Sequence, residues 1–141
     1  MPEPVVSVIY WDSSAILSVL FKDKHSDVAM QWAAKRATHL ISSLAHAETC
    51  AVVSRMKREG ILPAEAIDNA RLALDQGPWR YLNLSPEREI VDPLAMKWAL
   101  RGADLWHLAT AKTFQTRVPE VYLLTFDSLL EVAARGEGLI R

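Results

Sequence analysis

Residues 5–21 read VVSVIYWDSSAILSVLF, and the change of pattern inside this stretch decides the fold class. Its first half is a short apolar, β-branched run, which is typical of a strand buried on both faces of a parallel sheet. From Ser13 onwards the apolar residues follow a helical spacing, and Ser13 or Ser14 could cap that helix. The change falls at Asp12. The stretch therefore predicts a strand that passes into a helix through an acidic residue.

The remainder of the chain continues this alternation. Further strands are predicted at residues 40–42, 81–84 and 121–125, with a short edge strand at 139–140. The helices predicted between them begin near Ser26, Leu44, Pro63, Ser85, Asp104 and Leu129, and Gly102 is expected to separate two of them. Alternating strands and helices require a parallel sheet covered on both faces. We therefore expect an α/β fold of three layers, α/β/α, around a central, mainly parallel sheet of four or five strands.

Length and composition favour one ordinary globular domain. The 141 residues are 50% hydrophobic and 23% charged, which is too apolar for disorder and too interrupted by charge for a membrane span. No basic stretch precedes an apolar run at the N-terminus, so we expect no secretory signal and a cytoplasmic protein. The single cysteine, Cys50, fits a reducing compartment and is expected to pack in the core.

Four acids lie close to the points where predicted strands give way to helices. Asp12 and Asp127 follow strands, Glu48 lies one turn into a helix that follows a strand, and Asp104 begins a helix. Because the carboxyl ends of parallel strands share one edge of the sheet, these side chains are expected to meet there. Taken singly, each could be a helix cap or a solvated surface acid. Their joint placement favours a functional site.

Clustered carboxylates repel one another, so such a site needs cations or protons to compensate. Mg²⁺ prefers hard oxygen ligands, whereas the sequence offers no second cysteine or closely spaced histidine pair for zinc. The matching chemistry is phosphodiester hydrolysis by a metal-activated water. Asp12 and Asp104 are the first candidates for direct ligands, with Asp127 and Glu48 positioning a second ion or an outer-shell water.

Charge gives weak guidance about a nucleic-acid substrate. The formal net charge is −1, but the surface would carry a small basic excess once metal had neutralised the four acids. Arg101, three residues before Asp104, could bind a substrate phosphate, although a paired surface charge is the other reading. The balance permits RNA binding without requiring it.

Four segments together resemble the PIN domain, and within it the VapC-like toxins of bacterial and archaeal type II toxin–antitoxin pairs. They are residues 8–15, 42–48, 100–111 and 124–130, each of which carries one of the four acids. Their order and spacing match the family over nearly the whole chain, so the resemblance implies a single PIN domain at residues 1–141.

The resemblance implies an endoribonuclease that depends on Mg²⁺ or Mn²⁺ and acts as a toxin. It further implies an RNA substrate, a small antitoxin protein that restrains the toxin, and a homodimer. The family's metal ligands correspond to Asp12 and Asp104 first, then to Glu48 and Asp127. Ser14 and Thr125 match hydroxyl positions that help order the acids or the substrate.

Three other functions compete with this interpretation. A phosphoaspartate receiver domain would need an acid pair after the first strand and a lysine after the last, and a haloacid-dehalogenase-like phosphatase would need an acid where Ser14 stands. A non-catalytic PIN-like module that binds RNA or protein without cutting is the third. The intact acids argue against this module, and only an assay excludes it.

Overall fold

A computed structural model describes residues 7–141 and confirms the alternation of strands and helices. The strands are β1 (Val8–Trp11), β2 (Thr38–Ser42), β3 (Trp79–Leu82) and β4 (Tyr122–Leu124). The helices are α1 (Ser13–Leu20), α2 (Ser26–Ala33), α3 (Ser43–Arg58), α4 (Ala64–Gln76), α5 (Arg88–Lys97), α6 (Gly102–Gln115) and α7 (Ser128–Gly136). The first two residues of the stretch 5–21, and the N-terminal residues before them, lie outside the described range.

The four strands form one parallel sheet in the order β3-β2-β1-β4. The chain moves from β1 outwards to β2 and β3, and then crosses to the opposite side of β1 to form β4. Trp11 at the end of β1 pairs with Ile41 on one side and Leu124 on the other. The strand order therefore reverses between β1 and β4, and in open α/β sheets ligands bind at the carboxyl edge beside such a point.

Successive side chains of β1 point to opposite faces of the sheet and pack into two separate cores, so the fold has three layers. Tyr10 packs with apolar residues of α5, α6 and α7, whereas Ile9 and Trp11 pack against α1 and α3 on the other face. Helices α2 and α4 complete the second layer through Trp32 and Leu74. The predicted α/β/α arrangement is confirmed, with four strands in the described part of the chain.

Two predictions about helix N-termini are wrong. Asp12, not Ser13 or Ser14, caps α1, because its carboxylate accepts a hydrogen bond from the Ala15 backbone N–H. Gly102 does not separate two helices but is the first residue of α6. A glycine is tolerated there because N–H groups in the first turn have no partner within the helix.

Two further expectations fail at the surface and the sheet edge. Cys50 is exposed on α3 rather than packed in the core. Leu139 and Ile140 are buried but do not form a fifth strand, although the Leu139 carbonyl accepts a hydrogen bond from Leu123 N at 2.9 Å. Within residues 7–141, no helix combines the length and apolar character that a membrane crossing requires.

Candidate metal centre

Asp12 lies at the carboxyl end of β1 and is 3% exposed. Its Oδ1 accepts hydrogen bonds from Ser14 Oγ at 2.7 Å and from Ala15 N at 2.9 Å, and its Oδ2 accepts one from Thr125 Oγ1. Burial raises the pKa of Asp12, while the bonds from Thr125, Ser14 and Ala15 favour the ionised form. The carboxylate is therefore held in one orientation at a site where it lacks full hydration.

The hydroxyl groups of Ser14 and Thr125 join the end of β4 to the start of α1. Ser14 Oγ accepts a hydrogen bond from Phe126 N and Thr125 Oγ1 accepts one from Asp127 N, each at 3.0 Å. Both hydroxyls also donate to Asp12. The expectation that they order the acids agrees with this geometry, and their contact with substrate stays a prediction.

Three helices begin at or beside the candidate acids. Asp12 caps α1, Asp127 caps α7 by accepting a hydrogen bond from Leu130 N at 2.9 Å, and Asp104 lies in the first turn of α6. The partial positive charge at a helix N-terminus stabilises carboxylates and also attracts phosphate. The caps of α1 and α7 and the first turn of α6 thus each place an acid at a helix N-terminus.

Asp104 experiences the charges of the other three acids. Burial raises the pKa of Asp104, and the negative charges of Asp127, Asp12 and Glu48 raise it further, against an opposing effect of His107. Hydrogen bonds link the segments that carry these acids, because Thr125 joins Asp12 to the segment with Asp127 and His107 joins Glu48 to the helix with Asp104. That the four acids meet closely enough to bind one metal ion stays a prediction.

Glu48 is hydrogen-bonded to a residue that was not predicted from the sequence to belong to the site. Its Oε1 lies 2.7 Å from His107 Nε2, and His107 Nδ1 lies 2.7 Å from the Tyr10 hydroxyl. Neither His107 nor Tyr10 is among the site residues predicted from the sequence. Their spacing was the available signal, because His107 follows Asp104 by three residues on one helix face and Tyr10 precedes Asp12 by two.

The donor set suits a hard divalent cation. The negative charges around Asp104, which raise its pKa, are relieved by a cation, and Mg²⁺ needs only one or two carboxylates because water completes its coordination shell. In the described range, no three histidine, cysteine, aspartate or glutamate side chains are already grouped closely enough to hold a metal by themselves. Carboxylate oxygens suit a magnesium ion that keeps several waters better than a closed zinc site built from cysteine and histidine.

Arg101 stands three residues before Asp104, whereas a cavity elsewhere on the molecule is not lined by any of the four acids. Arg101 is exposed at the N-cap position of α6, and the salt bridges found among the described residues do not include it. A cavity of about 280 Å³ lies between α3 and α4, and none of the four acids lines it.

Comparison with known proteins gives consistent matches over most of the chain. The family model described as "PIN domain" matches residues 9–136. Ribonuclease VapC35 of Mycobacterium tuberculosis, from strain CDC 1551 / Oshkosh and from strain H37Rv, is 27% identical over 134 residues. That alignment covers 94% of this chain and 93% of the relative.

Two crystal structures share the fold. PAE2754 from Pyrobaculum aerophilum matches with a TM-score of 0.62 and 18% identity over 96% of this chain and 83% of that one. Mycobacterium tuberculosis VapC20, described as a sarcin–ricin loop cleaving toxin, matches with a TM-score of 0.58 and 15% identity over 89% of this chain and 94% of that one. At these identities the matches establish the three-layer architecture.

Proposed function

The chain belongs to the PIN-domain family, and on this premise we propose that it is a metal-dependent endoribonuclease acting as the toxin of a toxin–antitoxin pair. The observation that carries the proposal is the hydrogen-bonded arrangement at the carboxyl edge of the sheet, where Thr125 joins Asp12 to the segment that carries Asp127, and His107 joins Glu48 to the helix that carries Asp104. A cluster of this kind is costly to a fold unless a cation binds there.

We assign Asp12 and Asp104 as the first ligands of Mg²⁺, with Mn²⁺ as a substitute. Asp12 is kept in orientation by Ser14, Ala15 and Thr125, and Asp104 projects from the first turn of α6. A cation bound there would supply an activated water and would stabilise negative charge on the phosphate. None of the side chains has to act as a nucleophile.

The remaining assigned residues act on water and substrate. Asp127 and Glu48 orient an outer-shell water or help to hold a second ion. Ser14 and Thr125 lie at the same edge and are proposed to contact a substrate phosphate or ribose, and Arg101 contributes a positive charge beside the start of α6. RNA is the proposed substrate, and a small antitoxin protein and a second copy of the chain are the proposed partners, in the cytoplasm.

A cleavage assay tests the proposed activity. Purified protein should cut single-stranded or looped RNA with Mg²⁺ or Mn²⁺ and stop when a chelator is added. Asp12→Asn and Asp104→Asn should abolish cleavage, whereas Glu131→Gln, which changes an exposed acid paired with Arg135 on α7, should not. Equal cleavage by the wild type and both aspartate variants would identify a contaminating nuclease and refute the assignment.

Expression in cells tests the proposed biological role. The chain expressed alone should arrest growth, and co-expression of the neighbouring small open reading frame should relieve the arrest. The Asp104→Asn variant is the matched control, because it should be harmless while retaining the fold. Metal binding without any RNA cleavage would instead favour the non-catalytic PIN-like module.

A further inference from the structure

A chain of hydrogen bonds joins β1, α6 and α3. The Tyr10 hydroxyl on β1 bonds His107 Nδ1 on α6, and His107 Nε2 bonds Glu48 Oε1 on α3. The residue His107 is 1% exposed, and both of its ring nitrogens are engaged. The imidazole is therefore fixed in place and direction by two partners.

The donor and the acceptor of each hydrogen bond between Tyr10, His107 and Glu48 can be assigned. An ionised Glu48 can only accept hydrogen bonds, so His107 Nε2 must carry the hydrogen that lies between them. A neutral imidazole then accepts at Nδ1, and the Tyr10 hydroxyl is the donor on that side. Tyr10 thus selects the tautomer of His107 that can donate to Glu48.

Glu48 needs such support because of its position. Its side chain is 31% exposed and has three rotatable bonds, and it projects from α3 in the helical layer opposite to α6. The bond to His107 crosses the carboxyl edge of the sheet between the two layers. Since Asp104 and His107 lie three residues apart on one face of α6, this helix fixes Glu48 relative to Asp104.

We propose that His107, oriented by Tyr10, is a positioning residue that holds the Glu48 carboxylate in the acid cluster and so sets the cluster's affinity for a divalent cation. The inference rests on the proposed function, because it requires the four acids to bind metal. Oε1 of Glu48 is taken by His107, which leaves Oε2 available to a cation or to a water bound by the cation. Residues that orient metal-binding groups in this way strongly influence affinity in other metal sites.

A purely structural role for Tyr10 and His107 predicts a different effect of Tyr10→Phe on metal affinity. Tyr10 and His107 also meet edge to face, with ring centroids 5.8 Å apart, and Trp106 contacts His107 similarly at 5.6 Å. If packing alone mattered, Tyr10→Phe would have no effect on metal affinity, because it keeps the ring and removes only the hydroxyl. Positioning through hydrogen bonds predicts a measurable loss.

The test is calorimetric titration of Mn²⁺ into the RNA-free protein. Tyr10→Phe should weaken Mn²⁺ binding about 3- to 10-fold, which corresponds to one hydrogen bond. His107→Leu should weaken it about 10- to 100-fold, and His107→Gln should lie nearer the wild type because its amide can still donate to Glu48. Tyr122→Phe is the matched control, because Tyr122 stacks on Trp32 away from the acids and should bind Mn²⁺ as the wild type does.

A double-mutant cycle tests whether Tyr10 influences Mn²⁺ affinity through Glu48. In a Glu48→Ala background, Tyr10→Phe should cause no further loss of Mn²⁺ affinity. An equal loss in both backgrounds would overturn the proposal, and so would wild-type affinity in folded Tyr10→Phe or in Glu48→Ala. A wild-type protein that binds no Mn²⁺ would refute the proposed function itself, which is a distinct result.

Discussion

The Thr125 hydroxyl donates a hydrogen bond to Oδ2 of Asp12, and so connects the residue that follows β4 to the residue that follows β1. The two residues are 113 positions apart in the chain. They meet because β1 and β4 are parallel neighbours whose carboxyl ends lie side by side. Through this one hydroxyl, the orientation of a candidate metal ligand depends on the pairing of β4 with β1.

Thr125→Val should impair cleavage more than it impairs folding. The substitution removes the bond to Asp12 Oδ2 and leaves a buried carboxylate with one donor fewer. We expect about a 10- to 100-fold loss of activity and of Mn²⁺ affinity, with a lower Tm. RNA cleavage rates and Mn²⁺ titration measure the effect.

Thr113→Val is the control for this change. Thr113 is also buried, and its hydroxyl donates to the Ala109 carbonyl and accepts from Glu87 N, away from the acids. It should lower the Tm while leaving Mn²⁺ affinity unchanged. A Thr125→Val protein with normal metal affinity would show that Asp12 keeps its orientation without this hydroxyl.

Asp104→Asn should stabilise the metal-free protein although it abolishes cleavage. Burial and the charges of Asp127 and Asp12 raise the pKa of Asp104 above its ordinary value of 3.8, so the folded state binds the proton more tightly than the unfolded chain does. The free energy of unfolding therefore falls as the pH rises from 3.8 through the raised pKa. Removing the charge should raise the Tm by a few degrees at neutral pH.

The increase in Tm caused by Asp104→Asn should depend on pH. Below about pH 4 the carboxyl is protonated in both the folded and the unfolded chain, so the wild type and Asp104→Asn should have similar Tm values there. Thermal melts in a chelating buffer at neutral and acidic pH measure both limits. A lower Tm for the variant at neutral pH would contradict the repulsion that we describe.

Arg101→Gln should weaken RNA binding and reduce its dependence on salt. If the guanidinium contacts a phosphate, the slope of log affinity against log salt should flatten by about one. Binding is measured with the inactive Asp104→Asn protein, so that the RNA stays intact. Arg117→Gln, just beyond the opposite end of α6, removes the same charge and should leave the slope nearly unchanged.

Glu137→Gln should destabilise the C-terminal end of the fold. Glu137 is largely buried, and its Oε2 lies 2.8 Å from Lys97 Nζ and 2.9 Å from Trp98 Nε1. Burial alone would raise the pKa of Glu137, but these bonds and the charges of Lys97 and Lys112 outweigh it and lower the pKa below 4.5. The variant should lose about 1–2 kcal/mol of unfolding free energy at neutral pH.

The stabilisation by Glu137 should disappear in acid. Because its folded-state pKa is lowered, the contribution is complete above the unfolded value of 4.5 and is lost as the pH falls through the folded value. Urea unfolding of both proteins at several pH values measures this difference. Glu131→Gln is the control, because its bond to Arg135 is exposed and should contribute less than about 1 kcal/mol.

The sequence by itself determined the order of elements and the place of the acids along the chain. Apolar runs and helix periods depend on neighbours a few residues apart, so the strand-to-helix change at Asp12 and the cap at Asp127 were readable from local pattern. Parallel pairing then followed from the alternation, and with it the expectation that the four acids share one edge.

Only the tertiary structure decided which residues support those acids. The bond from Thr125 to Asp12 and the chain from Tyr10 through His107 to Glu48 join residues 59 to 113 positions apart, and no local pattern encodes such distances. Exposure of Cys50 and burial of Leu139 without a fifth strand likewise depended on how the layers pack. Local periodicity indicates which face of an element is apolar, but the partner across the sheet is selected by the packing of the whole domain.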